Sequence, residues 1–220
     1  MKSSPRRNFV VNLTPDEYVN QLFQEDELLL KVKEAIRANG MPEVSVAAAY
    51  GRLLTFLAKT AKAEAALEIG VLGGYSGICL ARGLSEGGIL TSLELKEEYA
   101  AMARGHLEEG GFGDKVEYRI GPAADSLEQL VQEGRTFDFF FIDADKENYP
   151  VYLDYAIRLA RPGAVIVGDN CFLRGRTLNP DKQGPAVLAV RRFNEQMASD
   201  PRLVTTMLPD YDGLVLAWVR

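Results

Sequence analysis

Asp143, Asp145 and Lys146 stand directly behind an apolar run, in FFFIDADK at 139–146. Asp169 and Asn170 stand behind another, in VIVGDN at 165–170. Asp143, Asp169 and Asn170 together would be two carboxylates and an amide. That is a hard oxygen set of the kind that holds Mg²⁺ and leaves positions open for a substrate. Without a cation at such a point the carboxylates repel, and one is forced to take up a proton. Lys146 adds an ammonium three residues beyond Asp143. The plainer alternative is local: Asp143 caps a helix beginning near Asn148, and Asp169–Asn170 form a turn. Asp145, two residues past Asp143, is placed to brace the loop or cap that helix rather than to join a metal.

A second stretch, LEIGVLGGYSG at 67–77, carries Glu68, Gly70, Gly73, Gly74, Tyr75 and Ser76. Glycines between a strand and a helix let the backbone approach a ligand closely. The spacing is not that of a dinucleotide fingerprint: counted from Gly70, the second and third glycines would fall at Leu72 and Tyr75. Nor does a Gly-Lys-Ser/Thr follow, as a P-loop requires. The next apolar run ends in Glu94, and an acidic side chain there can accept hydrogen bonds from both ribose hydroxyls. A nucleoside without a pyrophosphate fits these residues better than NAD. The alternative is a tight strand–helix turn with no ligand.

These residues need a scaffold, and the chain reads as one. AALEIG, ILTSLEL, KVEYRIG, FDFFFID and GAVIVGD are short apolar runs separated by helix-length segments. Strands alternating with helices, with little polar alternation inside the strands, predict a parallel sheet covered on both faces. Near the end, RLVTTMLP and GLVLAWVR flank DYD, which predicts a hairpin with at least one antiparallel member. Gly70, Glu94, Gly121, Asp143 and Asp169 all fall at strand carboxyl ends, where open α/β sheets bind ligands. Ahead of the sheet, 13–62 reads as a helical preface. Thr14 caps a first helix with Pro15 at its first position. A second ends at Gly40, and a third runs from about Val44 to Ala61. Residues 1–12 read as a loose arm, so 63–220 forms the sheet unit of a single domain.

The 220 residues are nearly half hydrophobic and carry a formal charge of −6. That argues against broad nucleic-acid binding, which needs a basic surface. Only Arg6 and Arg7, and later Arg174, Arg176, Arg191 and Arg192, cluster, and the ordinary reading is solvated arginines. Two distant cysteines and one histidine, His106, give neither a disulfide framework nor a usual zinc site. No apolar run reaches membrane-span length and no signal-peptide pattern opens the chain, so the expectation is a cytoplasmic protein.

The chain resembles the cation-dependent O-methyltransferases, the group of catechol and caffeoyl-CoA O-methyltransferases and their bacterial relatives. The resemblance lies in LEIGVLGGYSG, GPA at 121–123, IDADKENYPVYLDYAIRLARPGAVIVGDN at 142–170 and LPDYDGLVLA at 208–217. It implies a Rossmann-like class I methyltransferase fold with a seven-stranded, mostly parallel sheet, an antiparallel C-terminal strand and helices on both faces. It implies S-adenosylmethionine as methyl donor, with Glu68, Gly70 and Ser76 around its methionine part, Glu94 at the ribose and Ala123 beside the adenine. Gly74, Tyr75 and Asp143 complete the expected donor site. It further implies Asp143, Asp169 and Asn170 as ligands of a divalent cation (Mg²⁺ first, with Mn²⁺ and Ca²⁺ as alternatives) and Lys146 as the group near the acceptor hydroxyl. One departure concerns the acceptor. Relatives often carry DNVLWHGRV where this chain has DNCFLRGRT, so Leu173 replaces a Trp and Arg174 a His. Arg174 either favours an anionic acceptor or faces solvent.

The expected reaction is transfer of the sulfonium methyl to a hydroxyl of a small aromatic diol, with Lys146 acting as base or as fixed charge. The competing readings are a tRNA hydroxyuridine methyltransferase with the same metal chemistry, a non-catalytic nucleoside-binding protein, and an NAD-dependent reductase. The apolar residues Val19, Leu22, Phe23 and Leu28 to Leu30 exceed what one compact domain needs, which predicts a homodimer; the alternative is that these helices roof their own active site.

Overall fold

Thr14 starts the first helix as its pattern dictates. Its hydroxyl accepts the Glu17 N–H while the Glu17 carboxylate accepts the Thr14 N–H, a reciprocal box that satisfies two otherwise unpaired donors. The computed structural model describes residues 13–220. The expected N-terminal arm, with Arg6 and Arg7, lies outside the described residues. Three helices come first: α1 (Pro15–Leu22), α2 (Glu27–Ala38) and α3 (Ala48–Thr60). The third starts later than its apolar spacing predicts. Val44, Ser45 and Val46 instead form a connection over the carboxyl ends of the strands, where they line a cavity.

The alternation that follows is β1 (Ala65–Ile69), α4 (Tyr75–Gly83), β2 (Ile89–Glu94), α5 (Glu97–Glu109), β3 (Val116–Ile120), α6 (Ala123–Gln132), β4 (Phe137–Ile142), α7 (Tyr149–Leu159) and β5 (Ala160–Gly168). After α8 (Pro185–Ser199) come β6 (Leu203–Leu208) and β7 (Leu214–Val219). The seven strands lie in the order β3-β2-β1-β4-β5-β7-β6. The first five pair in parallel, while β7 runs antiparallel to both β5 and β6. The reversed C-terminal strand follows from the short DYDG connection, which permits a hairpin but no crossover.

Successive side chains of a strand point to opposite faces, and β4 uses both. Phe137, Phe140 and Ile142 pack into one core, with Leu153, Ile157 and Phe193 from α7 and α8. Phe139 and Phe141 pack into the other, with Val32, Ile36, Leu54 and Ile78 from α2, α3 and α4. All five are essentially inaccessible to solvent. At about 1.5–3 kcal/mol for each large apolar side chain buried, this strand anchors the sheet from both sides.

Register then sets the height of the functional residues. Ile69 lies beside Leu93 and Ile142, and Ile142 beside Gly168. The following residues, Gly70, Glu94, Asp143 and Asp169, therefore leave the sheet at one level. Backbone bonds from Gly70 to Leu93, from Asp143 to Ile69 and from Asp169 to Ile142 extend the ladder to that edge. The strand order reverses direction between β1 and β4, the place where such sheets open a ligand crevice.

Candidate active site

A cavity of about 850 Å³ lies at this edge. Of the residues singled out in the sequence, Gly70, Gly73, Tyr75, Ser76, Glu94, Ala123, Asp143, Asp145, Lys146 and Asn170 line it. Glu68, Gly74 and Asp169 do not. They are buried behind its wall, and Glu68 meets it only through the Ser76 hydroxyl.

The β1–α4 turn forms one side. Gly70 has φ of 96°, and a Cβ there would sit 2.0 Å from the Asp143 carbonyl oxygen, so no other residue fits between β1 and the β4 loop. The Glu94 carboxylate fixes the next two residues, accepting the Val71 and Leu72 N–H groups at 3.0 Å each, and its other oxygen accepts Lys96 N–H at 3.1 Å. Beneath them Glu68 is fully buried. Burial pushes its carboxyl up to about 7, and the Ser76 and Ser92 hydroxyls, donating at 2.6 and 2.8 Å, limit the rise. The Tyr75 ring walls the cavity, but its hydroxyl donates to Glu25 at 2.6 Å, and Glu25 also pairs with Lys33.

The other side gathers the charged residues. Lys146 Nζ donates to Asp143 Oδ1 at 2.8 Å and also reaches the Tyr149 hydroxyl. That hydroxyl donates onward to the Asp169 carbonyl at 2.9 Å. Asp169 is 3 % exposed, and its Oδ1 accepts the Asn170 N–H at 2.7 Å. Burial, then the neighbouring Asp143, push the Asp169 carboxyl up to about 8. The Tyr50 hydroxyl lies near enough to Asp169 to oppose that rise, yet it is buried without a hydrogen bond of ordinary geometry. Asn170 sits at φ of 55°, a conformation asparagine tolerates better than most residues. Asp143 does not cap α7: Asn148 holds the cap position, and the Asp143 carboxylate turns to Lys146. Asp145 is the brace, accepting from the Tyr152 hydroxyl and from Asn148. Among the described residues no three His, Cys, Asp or Glu side chains are grouped so that they could hold a metal ion. A cation site here therefore has two carboxylates and needs the Asn170 amide oxygen as a third donor.

Two of the clustered arginines, Arg176 and Arg191, frame a loop. Arg191 on α8 donates to the carbonyls of Thr177 and Asn179, Arg176 donates to that of Leu173, and Asn194 to that of Cys171. These bonds hold the loop that follows Asn170. Leu173 is buried in that loop, whereas Arg174 is exposed and outside the cavity lining. Sequence reading missed Val44 to Val46, Tyr99 and Tyr152 as lining residues, and Tyr50 near Asp169. For Tyr99 the signal was its place in the first turn of the helix that follows Glu94. Tyr50 carried none, because it reads simply as a core position of α3.

The chain matches the family model described as O-methyltransferase over residues 19–219. It is 40% identical over 212 residues to a catechol O-methyltransferase of Niastella koreensis, covering 93% of this chain and 96% of that one. The structure of an O-methyltransferase from Bacillus cereus, solved in complex with SAH, superposes with a TM-score of 0.88 at 42% identity, covering 93% of this chain and 96% of that one. The O-methyltransferase TomG of Streptomyces achromogenes, solved with SAM and involved in tomaymycin synthesis, gives a TM-score of 0.86 at 40% identity, over 93% and 95% of the two chains.

Proposed function

The chain belongs to the O-methyltransferase family, and from that premise we propose that it moves the methyl group of S-adenosylmethionine to a hydroxyl of a small catechol-like aromatic, assisted by a divalent cation. The observation that carries this reading is one cavity walled by both the Gly70–Ser76 turn with Glu94 and the Asp143–Lys146–Asn170 set. Glu94, whose carboxylate already accepts three backbone N–H groups, keeps one acceptor site on Oε1 for a ribose hydroxyl. Ser76 and the α4 N-terminus face the amino-acid end of the donor.

Asp143, Asp169 and Asn170 fit a hard cation. Their donors are all oxygen, burial and then the neighbouring Asp143 push the Asp169 carboxyl up to about 8, and the adjacent Tyr50 hydroxyl is buried without a hydrogen bond of ordinary geometry. Mg²⁺ suits the set best, and Mn²⁺ or Ca²⁺ are alternatives. When bound, such a cation supplies the positive charge that favours a phenolate over a phenol. The chain does the rest. Lys146 stands beside the acceptor hydroxyl and takes its proton or balances its charge. The turn and Glu94 hold the donor so that the sulfonium–methyl bond breaks as the oxygen–methyl bond forms. The products are a thioether, a methyl ether and one proton.

Turnover against a panel of vicinal aromatic diols and against bulk tRNA, with Mg²⁺ and after exhaustive EDTA treatment, tests the reading. Methylation of tRNA alone would replace the acceptor by a hydroxylated uridine, and undiminished activity after EDTA would remove the cation. Replacing Glu94 with alanine is expected to weaken donor binding by about 1–3 kcal/mol, since it unpairs both ligand and turn donors. Calorimetry with S-adenosylhomocysteine measures this, and an unchanged Kd in a folded variant removes Glu94 from the donor site.

A homodimer is part of the proposal. Leu22, Phe23 and Leu30 are 40–47 % exposed, whereas Leu29 is buried in this chain's own core. The surface probe is therefore Phe23→Asp with Leu30→Asp. Light scattering should give twice 24.3 kDa for the parent chain and a lower mass for the double variant. A parent mass near 24.3 kDa ends the idea. No helix among the described residues is long and apolar enough to cross a membrane.

A further inference from the structure

We propose that His106, the single histidine of the chain, is a positioning residue for the methyl donor: its Nδ1–H holds the Gly73 carbonyl and so fixes the Gly73–Gly74 peptide of the donor turn. This rests on the reading that the cavity takes S-adenosylmethionine. His106 lies on α5, is 8 % exposed and does not line the cavity, so it touches neither donor nor acceptor. Its Nδ1 is 2.8 Å from the Gly73 oxygen. A carbonyl only accepts, so this nitrogen carries the hydrogen.

The need for such a bond follows from what fixes the rest of the turn. Val71 and Leu72 are tied to Glu94 through their N–H groups, and from Tyr75 onward the chain is helical. Between them lies one peptide flanked by two glycines, the residues with the least steric resistance to backbone rotation. Its N–H is held by the Val71 carbonyl at 3.0 Å, and its C=O by His106. Without the imidazole that carbonyl would be buried and unpaired, and the cheapest relief is rotation of the peptide. Gly73 lines the cavity, so the rotation would move the donor's wall. The packing is built for this contact. A Cβ on Gly74 would meet Ala103 at 3.0 Å, and one on Gly73 would meet Ile36 at 2.6 Å. Gly74, bare of a side chain, and the small Ala103 are what let α5 come close enough for His106 to reach, while bare Gly73 makes room for Ile36 of α2.

Because the chain has one imidazole, a long-range ¹H–¹⁵N spectrum of the tag-free protein reads its tautomer without assignment. The Nδ1–H form is expected, and the Nε2–H form overturns the proposal. Calorimetry with S-adenosylhomocysteine then compares His106→Leu, which cannot donate, with His106→Asn, whose amide can. The leucine variant should bind about 5–50-fold more weakly and the asparagine variant within about threefold of the parent, with the acceptor KM unchanged in both. Equal binding by all three, or an equal loss in both variants, overturns it. Should the leucine variant not fold, the tautomer and the asparagine variant decide, and a loss above about tenfold in the latter is negative. No binding by the parent protein overturns the methyltransferase reading itself, and this proposal with it.

Discussion

Replacing Asp169 with alanine is expected to lower kcat about 10²–10⁴-fold while leaving the protein folded. The activity loss follows from removing one of only two carboxylates in the candidate cation set. A cation that stabilises developing oxyanion charge contributes several kcal/mol, and each ~1.4 kcal/mol is tenfold in rate. The stability expectation runs the other way. Asp169 is buried beside Asp143, and in the absence of a cation its carboxyl is pushed up to about 8. A carboxyl raised above its unfolded value stabilises the fold fully below about pH 4, and that contribution is lost as pH rises toward 8. With EDTA present, the parent protein should therefore lose stability between pH 5 and pH 8.5 in urea unfolding. Asp169→Asn should show a shallower slope, because its amide cannot ionise. Calorimetry with Mg²⁺ should show binding to the parent and none to the alanine variant. An alanine variant that turns over at the parent rate in EDTA would end the metal assignment.

Why this site could be found in the sequence, and why only part of it, has a physical reason. Asp143 and Asp169 follow apolar runs, and a parallel sheet puts all its strand ends with the same polarity on one edge. Their common height was thus legible. That Ile142 lies beside both Ile69 and Gly168 was not, because strand order depends on long-range pairing that no local pattern encodes. Gly70 was legible as a turn. Its collision partner, the Asp143 carbonyl, was not. The strand-end position of Glu94 points to a ribose, while its second task, tying down Val71 and Leu72, appears only once β1 and β2 are adjacent. The apolar spacing of α3 continues back through Val44 to Val46 and predicts helix there. The structure uses these residues to cover the cavity instead, and α3 begins at Ala48 with no side-chain cap to mark the boundary. Leu29 is buried between two outer leucines: three leucines in a row cannot all face one way, and sequence alone does not say which one turns inward.

The second large effect is expected at Lys146. Its ammonium is 2.8 Å from Asp143 Oδ1 and also reaches the Tyr149 hydroxyl, which is anchored on the Asp169 carbonyl. It is thus held at the point where the acceptor hydroxyl has to sit if Asp143 and Asn170 hold the cation. Lys146→Met keeps the length of the side chain and removes both charge and proton acceptor. It should lower kcat about 10²–10⁴-fold, the usual range for a positioned acid–base group, with donor Kd within about threefold of the parent. Two roles then separate by substitution. Lys146→Arg keeps a positive charge but holds its proton throughout the accessible pH range. If Lys146 serves only as a charge beside the phenolate, the arginine variant should retain activity within about tenfold. If it removes the proton, the arginine variant should fall with the methionine variant. An acceptor whose hydroxyl is already ionised at the assay pH should then restore both, because it no longer needs a base. A methionine variant with parent kcat on every acceptor would take Lys146 out of the reaction.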